Sequence, residues 1–127
     1  MPKTSKSSAS HVYSMEGFEG RYEELGGGYT AGFEVYTADG EMTSVFEGLP
    51  DDRCQCPHWG YVLKGKVGYR FADREETFTE GEAYYVAPGH IPVFYAGGEV
   101  VELSPSEELD KTGEVVARNL EKMARTA

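Results

Sequence analysis

Two cysteines and a histidine fall at alternate positions in Cys54-Gln55-Cys56-Pro57-His58, with Asp52 two residues ahead of them. In an extended strand alternate side chains share one face, so Asp52, Cys54, Cys56 and His58 are expected to point the same way. Thiolate and imidazole are good ligands for soft and borderline divalent ions, and a face that gathers them is the beginning of a metal centre. Same-face neighbours lie roughly 6.5–7 Å apart along a strand. Two share an ion readily; three need a bend, which Pro57 can supply. A second segment must close the site, and Ala87-Pro88-Gly89-His90-Ile91-Pro92 offers His90. The expected metal ligands are therefore Cys54, Cys56, His58 and His90. The opposing reading is a metal-free pocket, because free cysteine often behaves as a small buried hydrophobe. His11 lies near the polar N-terminus and is given no role.

The elements that position these residues are strands. Tyr29 to Thr37 is β-branched and aromatic, bounded by Gly26-Gly27-Gly28 and Asp39-Gly40, and Met42 to Phe46 is a second short run. HWGYVLKGKVGYRF, EETFTEG, EAYYVAPG and EVVELSP follow, each edged by Gly, Pro or Asp turns. Lys64-Gly65-Lys66 reads as a hairpin tip and Ala72 to Glu75 as the next turn. Strands at this spacing with no intervening helix predict an all-β sandwich or barrel. After Ser104-Pro105 the pattern changes. Val115, Val116, Leu120 and Met123 fall near helical spacing, predicting a C-terminal helix packed across the outside of the barrel. The expected organisation is a disordered leader over 1–10, a barrel over 11–105 and a helical segment over 106–127. Trp59 and Tyr61 alternate opposite to the ligand face and are expected to pack against a partner sheet or the helix. Glu34 and Glu102 sit in strands; a solvent-facing position is the favoured expectation, and an inward one would make either a pocket base or a further ligand. Tyr36 and Tyr69 are expected in or behind the pocket wall, with Asp52 beside them.

Bulk properties narrow the classes. The chain has 127 residues, enough for one core. Twelve Lys and Arg against 22 Asp and Glu leave a net charge of −10, which disfavours nucleic acid and anionic membranes as partners. No apolar run is long enough to span a bilayer. Met1 to Ser10 has no hydrophobic segment and does not read as a secretory signal. Two cysteines at i and i+2 make a poor disulfide, and free thiols point to a reducing, cytoplasmic setting.

Tyr61-Val62-Leu63-Lys64-Gly65-Lys66-Val67, followed by Gly81-Glu82-Ala83-Tyr84-Tyr85-Val86-Ala87-Pro88-Gly89 and His90-Ile91-Pro92, resembles the two motifs of the cupin superfamily over roughly residues 30–104. The resemblance implies a jelly-roll β-barrel. The family's first motif runs H-x-H-x3-E-x6-G. Counted back from Gly65, its glutamate falls on His58 and its histidines on Cys54 and Asp52. Counted on from Gly89, the last family histidine falls on Pro92, with His90 two residues earlier. No family ligand keeps its own position. The resemblance implies iron or manganese, whereas thiolate plus imidazole favours zinc, which is the preferred ion here. The chemistry among cupins is too varied for the fold to select a reaction. The leading expectation is a metal-dependent protein that acts on or binds a small molecule, in a homodimer like other small cupins. The competing expectations are a non-catalytic sensor of small molecule, metal or oxidant, and a filled barrel whose role lies in dimerisation.

Overall fold

The computed structural model describes residues 2–126. Ten strands run in chain order: β1 (His11–Met15), β2 (Phe18–Gly26), β3 (Tyr29–Tyr36), β4 (Gly40–Glu41), β5 (His58–Lys64), β6 (Lys66–Arg70), β7 (Glu75–Thr79), β8 (Ala83–Val86), β9 (Ile91–Phe94) and β10 (Glu99–Pro105), with α1 (Ser106–Thr126) after them. They form two antiparallel sheets, one ordered β1-β2-β3-β10-β5-β8 and the other β4-β9-β6-β7. The all-β expectation with a C-terminal helix holds. Gly65 makes the β5–β6 turn at φ 64°, and a Cβ there would meet the Gly98 backbone at 3.0 Å, so the tip suits glycine alone. This turn carries the chain from one sheet to the other and sets the barrel wall.

Register decides which side chains face inward. In the larger sheet Glu34 lies opposite Val100, and Glu102 lies opposite Gly32 on one side and Gly60 on the other. Strict alternation then turns Thr30, Gly32, Glu34 and Tyr36 of β3 inward, with His58, Gly60 and Val62 of β5 and Val100, Glu102 and Ser104 of β10. The core also includes Phe18, Met42, Val45, Phe46, Val67, Tyr69, Val86, Ile91 and Phe94. Phe18, Tyr36 and Phe94 stack within 4.8–6.1 Å at one end of it.

The helix begins earlier than its apolar spacing suggests. Ser106 pairs its hydroxyl with Thr30 Oγ1 at 2.7 Å, and Glu107 and Glu108 occupy the first turn, where acidic side chains complement the helix dipole. Asn119 fastens the other half: its Nδ2 donates to Val45 O at 2.7 Å and Glu47 O at 2.8 Å. Val116 is buried, with Leu109, Val115 and Leu120 partly so. The helix thus sits over the open end of the barrel instead of across its outer wall.

In the leader Ala9 N donates to Ser5 O; Ala9 is buried, Ser5 to Ser8 are exposed, and Lys6 Nζ lies 2.6 Å from Glu99 Oε1. One further expectation differs from the structure. Trp59 and Tyr61 pack neither on the second sheet nor on the helix. With Tyr29, Leu63, Tyr85 and Leu103 they stand exposed on the outer face of the larger sheet, Trp59 at 43% and Tyr85 at 52%.

Candidate functional site

An ideal strand would hold Cys54 and His58 about 13 Å apart. The chain instead bends through Cys56-Pro57 before β5 begins, and Cys54 pairs with His90 as an isolated antiparallel bridge. Cys54 N donates to His90 O at 2.9 Å and Gly89 N to Cys54 O at 2.8 Å. The bend and the bridge bring three side chains together. Cys54 Sγ is 3.9 Å from His58 Nε2, and donor atoms of Cys54, His58 and His90 all lie within 4.8 Å of one another. All three residues are buried.

The proton positions on His90 follow from its neighbour. Its Nδ1 is 2.7 Å from Ala87 O, and a carbonyl only accepts, so Nδ1 carries the hydrogen. Burial, reinforced by His58, holds the ring neutral, with its pKa pushed down to about 3. Nε2 is therefore a bare lone pair, and it is buried with no hydrogen-bond partner among the described residues. His58 Nδ1 is held by Ser104 Oγ at 2.7 Å, with Glu102 Oε1 at 3.7 Å behind it, and burial lowers its pKa to about 4. A backbone carbonyl and a hydroxyl thus orient the two imidazoles from the rear, the usual support for metal-binding histidines. Burial pushes the Cys54 thiol up to about 11, and Thr112 Oγ1 sits 3.6 Å from its sulfur. Two neutral imidazoles and a thiol with one lone pair otherwise orphaned are a donor set that fits a borderline divalent ion.

Beside this group lies a pair of carboxylates served by tyrosines. Glu34 accepts from Tyr22 Oη at 2.7 Å and from Tyr36 Oη at 3.0 Å, and Glu102 accepts from Tyr84 Oη at 2.5 Å and from Tyr69 Oη. Glycines make room for the rings. A Cβ on Gly32 would lie 2.6 Å from Tyr22 Cε1, and one on Gly60 would lie 2.4 Å from Tyr84 Cζ. Burial, with the charge of Glu102, raises Glu34 to about 8, and burial raises Glu102 as well. The phenols are also shifted upward, first by burial, and stay protonated as donors.

A cavity of about 480 Å³ opens onto these groups. Cys54, His58, Glu34, Glu102 and Tyr69 line it, along with Met15, Phe18, Met42 and Phe46 from the barrel and Leu109, Thr112, Val116 and Leu120 from α1. The sequence-derived residues divide as follows. Cys54, His58 and His90 meet. Cys56 does not join them: it is fully buried, its Sγ lies 3.4 Å from Pro57 O, and burial raises its pKa. Asp52 is not a pocket residue; it is exposed in a turn at φ 56°, where Oδ1 accepts from Gly48 N at 2.9 Å. Tyr36 stands behind the cavity wall, reaching it only through Glu34. Glu34 and Glu102 face inward, against the solvent-facing expectation, because β10 places the inner face of the sheet on them. His11, passed over because of its position near the N-terminus, lines the cavity mouth with Tyr13. Its place in the first strand, on the same face as Tyr13 and Met15, was the available signal.

No family model matches the sequence, and no curated protein is significantly similar to it. Solved structures are similar in fold. An RmlC-like cupin from Shewanella frigidimarina superposes with a TM-score of 0.56 at 14% identity, covering 80% of this chain and 88% of that one. The polyketide cyclase RemF from Streptomyces resistomycificus gives 0.58 at 16% identity over 84% of this chain and 80% of its own. A variant of oxalate decarboxylase from Bacillus subtilis gives 0.59 at 16% identity over 83% of this chain and 29% of its own. At such identities the likeness is one of fold, and the fold is that of a cupin.

Proposed function

We propose that this cupin-fold chain holds a divalent metal ion, zinc, on Cys54, His58 and His90, and binds a small molecule in the cavity beside it. The observation that carries this reading is the bare, buried Nε2 of His90. An imidazole nitrogen oriented by Ala87 O and left without a partner next to a thiol and a second imidazole is costly to bury unless something accepts its lone pair. An ion so held would supply a Lewis acid beside the cavity. The chain's own residues do the rest: Ser104 and Ala87 fix the two rings, and α1 screens the site from bulk water. The fold neighbours include a polyketide cyclase and an oxalate decarboxylase, which supports a cavity that serves small molecules. Two buried thiols with raised pKa weigh against an oxidant sensor, since the thiolate is the reactive form. Cobalt titration of metal-stripped protein tests the ligand set. A thiolate-to-cobalt charge-transfer band is expected in the parent and in Cys56→Ser, and is expected to vanish in Cys54→Ser. A parent spectrum without the band overturns the reading.

The same reading includes a homodimer. The outer face of the larger sheet exposes Tyr29, Trp59, Tyr61, Leu63, Tyr85 and Leu103, with Phe33, Val35 and Val101 half-buried among them and Glu19 and Arg21 of β2 beside Val35 and Phe33, on a chain of net charge −10. Six of these residues expose roughly 500–600 Å² of side chain, so face-to-face pairing approaches the area of a standard specific interface. Trp59→Glu is expected to yield monomers in sedimentation velocity; a parent that is itself monomeric at tens of micromolar contradicts the pairing.

A further inference from the structure

The cavity walls carry a sign that the metal centre does not explain. Glu23, Glu24 and Asp110 line the mouth, and Glu34 and Glu102 line the interior, whereas no lysine or arginine among the described residues lines the cavity. Among the described residues the nitrogen bases on its surface are His11 and His58. Independently, the unpartnered Nε2 of the fully buried His90 belongs to a donor group whose other members, Cys54 and His58, open onto the same space. The cavity is therefore built to receive a ligand, and the carboxylates constrain which one.

We infer that the cavity takes an organic cation: a molecule with a protonated amine at one end and an apolar body at the other. An ammonium group brings three N–H donors, and burying it is costly unless each is paired. Burial holds a proton on Glu34; an ammonium alongside favours the charged form and draws that proton off, and the ionised carboxylate then offers about four acceptor sites. Glu34 and Glu102 each spend two on tyrosine hydroxyls, and those same hydroxyls pin the carboxylates in place. The acceptor capacity that remains faces the cavity. The two glutamates are diagonal neighbours on adjacent strands, close enough for one ammonium to sit between them. Tyr13, Tyr22 and Tyr69 add ring faces that favour a cation. Met15, Phe18, Met42, Phe46, Val116 and Leu120 supply the surface for an apolar body. An anion entering the same space meets like charge at the mouth, and inside it finds carboxyl groups and no cationic side chain among the described residues.

The inference stands with or without the ion. A dication held there would be largely offset by the Cys54 thiolate and Glu102, which leaves the mouth carboxylates, and Glu34 once an ammonium has drawn off its proton, to set the sign of the remaining space.

Three isosteric probes separate the possibilities: phenylbutylamine, phenylbutanol and phenylbutyrate, titrated into the full chain by calorimetry and ligand-observed NMR, in zinc-loaded and chelator-stripped protein. The amine is expected to bind at least about tenfold tighter than the carboxylate in both states, and to weaken with added salt while the alcohol does not. Glu34→Gln is expected to reduce the amine's advantage over the alcohol by about tenfold and to leave alcohol affinity within about threefold. Glu24→Gln, at the exposed mouth, guards against a misfolded interior variant and is expected to lower amine affinity by about twofold, only at low salt. Phenylbutyrate binding as tightly as phenylbutylamine in stripped protein, or an amine preference unchanged in folded Glu34→Gln, overturns the inference. Loss of zinc binding with the amine preference intact overturns the metal centre alone; zinc binding with no amine preference overturns this inference alone.

Discussion

Gly60→Ala probes the wall that carries the carboxylates. A Cβ at position 60 would stand 2.4 Å from Tyr84 Cζ, 2.5 Å from Oη and 2.8 Å from Cε2, all on a ring that is itself buried. An ordinary contact needs about 3.5 Å or more, so the ring must retreat by about 1 Å. Phe78 stacks on its other side at 4.6 Å between centroids, which blocks a simple slide. The retreat also draws Oη off Glu102, a hydrogen bond to a carboxylate worth about 1.5–3 kcal/mol. Together with overpacking, the expected loss is about 2–4 kcal/mol. For a domain of this size that is a fall in Tm of about 7–15 °C. Gly40→Ala is the control: its nearest neighbour is Phe94 Cδ2 at 3.8 Å, and its cost is expected within about 0.5 kcal/mol. Urea unfolding of both variants decides the matter. In a Tyr84→Ala background the Gly60→Ala penalty is expected to disappear, since the ring it strikes is gone. A Gly60→Ala variant as stable as Gly40→Ala, or a penalty unchanged in the Tyr84→Ala background, refutes the packing described.

Metal-stripped protein is expected to lose about 1–2 kcal/mol of stability as pH rises from 6.5 to 8. Glu34 binds its proton more tightly folded, with a pKa of about 8, than unfolded, so raising the pH favours the unfolded chain in that window. Below pH 6.5 His58 and His90 act in the opposite sense, because their folded pKa values of about 4 and 3 let the unfolded chain take up protons first. Chemical unfolding at stepped pH checks this, and Glu34→Gln is expected to flatten the limb between 6.5 and 8. Asn119→Ala leaves Val45 O and Glu47 O without their donor and is expected to cost about 1–3 kcal/mol, measured by urea unfolding.

The barrel was legible in the sequence because turn chemistry is local. Gly65 at φ 64° and Gly89 at φ 94° occupy backbone conformations that few other residues tolerate, and they mark the strand ends wherever they fall. Facing was harder to read. On β3 the apolar alternation is Tyr29, Ala31, Phe33 and Val35, and it points outward; the inward set, Thr30, Gly32, Glu34 and Tyr36, is the more polar one. On β5 Trp59, Tyr61 and Leu63 likewise face out. A rule that sends the apolar stripe to the core inverts Glu34 and Glu102, because here the interior is a polar-walled cavity and the exterior is an apolar face. The metal donors were legible as residue types, but their selection depended on tertiary pairing. Only the bridge between Cys54 and His90 and the bend at Pro57 separate Cys54, which meets His58, from Cys56, which does not.

The central claim is that Cys54, His58 and His90 share one ion. Crystals of protein loaded with one equivalent of zinc, measured above and below the zinc absorption edge, test it most directly. A single anomalous peak is expected about 2.3 Å from Cys54 Sγ and about 2.0–2.1 Å from His58 Nε2 and His90 Nε2. A peak on other residues, or none in this cluster with His90 Nε2 still unpartnered, contradicts it.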